Sequence, residues 1–239
     1  MEGRRALRAQ LEYRLCVLSR SVRIGADMDG DMERLKESHS CEHYAGNAGY
    51  LLFVTESGVF PFVKYEEQLA KINDYCLYLL ICLKEKVDTF EPFDIDEHDW
   101  AGPVSWEHSQ FLSWSFLYEE INKYTLLLLL LAFFESVLSE IANWFSDITG
   151  NSQWKKVRNP KVSDYIRQIG MCCRADLQDS LADELAYYDS IRKIRNQFVH
   201  HTWEQMTDQH EKFALADVIN MISRVIAGIE QSALAVDLI

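Results

Sequence analysis

Proline and glycine are scarce in this chain, at 4 and 10 of 239 residues. A turn-rich all-β fold needs many more of both, so their shortage points to long helices. No apolar run reaches the ~18–20 residues of a membrane span. The longest, Leu126 to Phe134, has charges close by and reads as a buried core helix. An apolar secretory leader is missing too, since Arg4, Arg5, Arg8 and Arg14 interrupt the first turns. The six cysteines (16, 41, 76, 82, 172 and 173) are too sparse for a disulfide scaffold and are expected as reduced thiols in a cytoplasmic protein. Net positive charge is also lacking. The balance is −13, which works against broad nucleic-acid binding, because phosphate contacts supply most of that affinity. Any such contact has to be local.

The absences extend to motifs. The chain has no internal repeat, Gly-rich phosphate loop, Ser nucleophile elbow or zinc-protease helix motif. His39, Cys41 and His43 alternate as metal ligands do, but no fourth ligand is evident nearby. Asp27, Asp29 and Asp31 begin like a calcium loop, yet Met32 and Ser38 stand where its Gly and Glu belong. No metal and no organic cofactor is expected.

What is present is apolar material: 48% of residues are hydrophobic and 12% aromatic, enough for a full core. Leu7, Leu11, Leu15, Leu18 and Val22 recur at helical spacing with Arg on the other face. This segment reads as a surface helix packed on the body, with an RNA-binding or membrane-surface arm, or a transit-peptide-like segment, as the other readings. Residues 26–48 are polar and read as a loop. Leu51–Thr55 and Val59–Val63, split by Glu56-Ser57-Gly58, suggest a small hairpin whose second strand Pro61 confines to an edge. Helical spacing resumes over 66–88. An acidic, aromatic loop over 89–108 then divides an N-terminal extension of unknown role, residues 1–100, from a helical domain, residues 109–239.

In that second part a long helix ends near Gly150, a short one spans Val162–Ile169 and stops at Gly170, and a long one runs from Leu177 to Trp203. Thr207-Asp208 with Glu211 offers a cap for the last. The expectation is a mainly α fold with a helical bundle in the C-terminal half.

The third of these helices carries the segment DSIRKIRNQFVHH, Asp189 to His201. Arg195 is followed by polar Asn196, and His200 stands five positions after the arginine. Spacing alone says little, since 13 Arg and 7 His make such a pair roughly once by chance, and Arg34…His39 is one. Only Arg195 lies in a long amphipathic helix with a polar residue directly after it. On a helical wheel Tyr187, Ile191, Ile194 and Phe198 form an apolar stripe, and His200 falls ~150° from its centre. His201 falls ~50° from it, so His200 is the exposed one of the two. Arg195 and His200 diverge by ~140° within one helix and need a second, antiparallel copy to converge.

In these residues and in its helix order, the region 109–239 resembles the HEPN superfamily, whose nucleases carry Arg, a polar residue and then His after four to six intervening positions. His201 also falls within that spacing. The resemblance implies a HEPN-like bundle acting as a homodimer on RNA, with Arg195, Asn196 and His200 catalytic. It further implies a toxin or defence effector, with an antitoxin or regulatory protein as a possible partner. Some family toxins carry a modified Tyr two positions after the His; here that position is Thr202.

The residue types suit the chemistry. RNA supplies its own nucleophile, the 2′-OH, so no metal is required. An imidazole with a pKa near ~6.5 can move that proton, and a guanidinium can hold the phosphate. Trp154 with Lys155, Lys156 and Arg158 offers stacking and charge for RNA, or is an ordinary solvated basic loop. Glu135, on the first bundle helix, is a candidate polar partner of Arg195, or a plain surface carboxylate. The rival function is a non-catalytic HEPN-like module that dimerises or binds nucleotides. The complete Arg-Asn…His trio favours the enzyme, and the charge of −13 favours the module.

Overall fold

The computed structural model describes residues 32–34, 52–88, 121–151, 154, 158–200 and 213–239. The segment 7–22, the loop 26–48 apart from residues 32–34, the loop 89–108, Lys155, Lys156, His201, Thr202 and the expected cap at Thr207-Asp208 lie outside them. Among the described residues every regular element is helical: α1 (Phe60–Asp88), α2 (Lys123–Thr149), α3 (Val162–Cys173), α4 (Leu177–Ser180), α5 (Ala182–His200) and α6 (Leu215–Leu234). The protein is mainly α.

α2 is the axis of the bundle and touches α1, α3, α5 and α6. Its apolar run makes this possible, because Leu127, Leu130, Leu131, Phe134, Leu138 and Phe145 are all fully buried. By length and composition alone Lys123–Ile148 could cross a bilayer, yet half of its most apolar window is covered by the other helices. Gly150 ends the helix at φ 70°, a left-handed turn that favours glycine, and Asn151 N–H reaches back to Ser146 O at 2.9 Å.

The expected hairpin is absent. Residues 52–59 form a bent segment without strand pairing, turning at Glu56-Ser57 with Gly58 at φ 63°, and α1 begins at Phe60. Pro61 sits in the first helical turn, where its missing N–H costs nothing. The preceding loop is fixed by α6. Phe53 N–H donates to Ser223 Oγ at 3.1 Å, and the Glu230 carboxylate accepts from the Glu56 and Ser57 N–H groups and from the Thr55 and Ser57 hydroxyls. Glu230 is only 1% exposed. α1 then buries Phe62, Tyr65, Leu69, Asn73, Cys76 and Leu80, a three-and-four spacing, in the same core as α2 and α6. Residues 52–88, read from sequence as part of an extension, thus share the bundle's core.

Two further expectations are corrected. Gly170 does not stop α3; it is buried within it, and a Cβ there would lie 2.7 Å from Ala175 O. The glycine serves close approach, and Arg174, at φ 54°, makes the left-handed exit. The helix expected from Leu177 is broken at Leu181, whose side chain packs against Gly228 of α6. α3 and α2 are joined by a buried polar pair, Gln168 Nε2 to Ser146 Oγ at 2.9 Å. Burial pushes the nearby Cys173 thiol up to about 12, so it stays protonated.

Candidate functional site

α5 packs on α2 and α6 and buries Tyr188, Ile191 and Ile194, with Tyr188 against Phe134 of α2 and Phe198 stacked on Tyr124 at 5.0 Å near its end. Tyr188 replaces Tyr187 as the most buried aromatic of the stripe. The stack fixes the last turns of α5, which carry the Arg195–Asn196…His200 trio.

Arg195 lies on the flank of this packed face. Its Nη2 donates to Glu135 Oε1 of α2 at 3.2 Å, so the pairing raised from the sequence is formed. Tyr188, two turns earlier on the same face, donates its hydroxyl to the same oxygen at 3.0 Å. Burial and then the Glu135 charge hold that phenol well above its ordinary range, so it remains a donor. Arg195 is therefore steered by a carboxylate that a buried tyrosine orients. A guanidinium has five N–H donors, and Glu135 occupies only one of them.

These residues open onto a cleft of about 460 Å³ between α2, α5 and the start of α3. Glu135, Tyr188, Asp189, Arg192 and Arg195 line one side, and Pro160, Lys161, Ser163 and Tyr165 the other. Asn196 and His200 are exposed and do not line it. Within one protomer the structure brings Arg195 together with Glu135 and not with His200, which stands ~140° around the helix.

The basic loop departs from expectation. Trp154 is buried at 7% exposure, donates Nε1–H to Asn143 Oδ1 at 3.1 Å, and meets the Tyr165 ring edge-on at 5.6 Å. It braces the cleft wall and does not offer a free stacking face. Arg158 is exposed and is not among the lining residues. Replacing Trp154 by Phe removes one hydrogen bond and is expected to cost about 1 kcal/mol, or a fall in Tm of roughly 2–4 °C for a chain of this size, read by thermal melting. An unchanged melt would mean the indole is not held as described.

Among the described residues no three His, Cys, Asp or Glu side chains cluster as a metal site would require. Tyr188, Arg192 and Tyr165 escaped the sequence reading. For the first two a signal existed, because they share a helical face with Arg195.

No family model, curated protein or solved structure matches this chain.

Proposed function

We propose that the chain is a metal-independent endoribonuclease of the HEPN type, cutting RNA at a site shared between two copies. The observation that carries this reading is the anchoring of Arg195 by Glu135 at the mouth of an open cleft, on the helix that also presents an exposed His200. Arg195 holds the scissile phosphate and offsets the charge that grows on it. His200 of the second copy takes the proton from the 2′-OH or gives one to the departing 5′-oxygen. The 2′-oxygen bonds to phosphorus as the P–O5′ bond breaks, leaving a 2′,3′-cyclic phosphate and a 5′-hydroxyl. Asn196, beside Arg195, orients the imidazole or a phosphate oxygen.

The further biology follows the resemblance alone: a toxin or defence effector in the cytoplasm, off the membrane, restrained by an antitoxin or regulatory protein. One observation favours a second reading, a nucleotide-binding module without catalysis: His200 does not line the cleft.

Labelled RNA incubated in EDTA separates the two. Wild-type protein is expected to produce cyclic-phosphate ends, with Arg195→Ala and His200→Ala slower by about 10²-fold or more. Equal cutting by all three, or none by wild type, overturns the proposal.

A further inference from the structure

The cleft beside Arg195 holds more than a phosphate transfer requires. Its 460 Å³ falls within the ~300–1,000 Å³ of small-molecule sites, well beyond what one phosphate fills. Its charge runs against that of the whole chain. Lys161, Arg192 and Arg195 face Glu135 and Asp189, a surplus of one cation in a protein of net −13.

The cations are incompletely engaged. The Nε atoms of Arg192 and Arg195 are both buried without a hydrogen bond. Arg192 Nε lies 3.3 Å from Asp189 Oδ1, an ion pair with both side chains substantially exposed. Such a pair contributes little and exchanges readily for a stronger anion. Across the cleft Val162 and Ser163 begin α3, whose first turn already holds a carboxylate, Asp164, accepting from the Lys161 N–H at 3.0 Å, so the added anion is left to the cationic side chains. Beside them Tyr165, braced by Trp154, supplies an aromatic surface.

We infer that this cleft binds one nucleotide unit, its phosphate between Arg192 and Lys161 and its base against Tyr165. Its place in RNA cutting, as the nucleotide flanking the broken bond, rests on the nuclease reading above; its affinity for a nucleotide does not. The combination accounts for how an acidic chain can hold RNA: contact is concentrated at one basic, aromatic recess in place of a broad positive face.

Calorimetric titration of the full chain carrying His200→Ala, with adenosine 3′-monophosphate, adenosine and inorganic phosphate as probes, tests this. The monophosphate is expected to bind about tenfold or more tighter than either fragment, since charge and stacking each contribute. Arg192→Gln and Lys161→Gln should each weaken it about fivefold or more, with Arg192→Lys retaining part of the affinity. Tyr165→Leu should narrow the gap between nucleotide and phosphate. Circular dichroism melts confirm that the variants fold. A monophosphate that binds no better than phosphate, or is indifferent to both Gln variants, overturns the inference even if wild-type protein cuts RNA. Nucleotide binding by a chain that fails to cut RNA supports the inference and removes the nuclease reading instead.

Discussion

Co-expressed and purified as a mixture, the Arg195→Ala and His200→Ala proteins, each inert alone, are expected to recover about one quarter of wild-type cutting. The figure follows from where the two groups stand. They lie five residues apart on α5, ~140° around and ~7.5 Å along the axis, so one protomer cannot aim both at one phosphate. If each site takes its arginine from one copy and its histidine from the other, a mixed dimer carries one fully mutated site and one intact site. Random pairing makes half of the dimers mixed, hence a quarter of the normal number of sites. Differently tagged copies allow the mixed dimer to be isolated, and its activity should be half that of wild type. A mixture as inert as its components would mean the site is not shared, and a nuclease built on these two residues would lose its geometric basis.

A comparably large effect on stability is expected far from the cleft. Glu230→Leu should destabilise the fold by about 3–5 kcal/mol, because it strands several donors that the carboxylate now satisfies. Two backbone N–H groups and two hydroxyls of residues 55–57 converge on it, and it is almost fully buried on α6. Losing that acceptor frees the loop that starts α1, a helix that contributes six buried positions to the core. For a chain of this size the change corresponds to a Tm fall of about 10 °C. Glu230→Gln keeps one acceptor oxygen and should cost about 1–2 kcal/mol. Near-equal melts for wild type and the Leu variant would show that the loop is fastened by its apolar residues, Leu52 and Phe53, instead.

How much was legible in the sequence differs by residue, and for physical reasons. The apolar run of α2 and its glycine stop could be read directly, because helical periodicity and a left-handed exit are local properties. The false hairpin at 51–63 is a case where two apolar runs about a turn were real but their partners were helices. The Phe53 and Thr55 N–H groups that a strand would have used go to Ser223 Oγ and Glu66 Oε2, and Glu230, some 170 residues away, takes those of the turn residues Glu56 and Ser57. Gly170 was read as a stop because glycine usually marks one, whereas here it admits the Ala175 carbonyl.

The site divides the same way. The wheel gives His200 an exposed position, and it is found so. Glu135 was singled out as a carboxylate on a neighbouring helix, without a means of judging distance. Lys161 and Tyr165 were invisible as cleft residues, since periodicity on α5 cannot say which loop is laid against it. Trp154 misled because an aromatic beside lysines resembles a stacking platform, and only the packing shows its indole turned inward.

The burial of α2 carries a consequence for how the protein is made. Leu126 to Phe134 leaves the ribosome about a hundred residues before the end of α6, its C-terminal cover, is translated. At ~5–20 residues per second that stretch spends some 5–20 s without its full cover, shielded at first by the already synthesised α1 and then in turn by α3 and α5. A greasy nascent segment of this length is a natural client for chaperones at the tunnel exit, and truncations that remove α6 should leave the face of α2 that α6 covers permanently open and prone to aggregate.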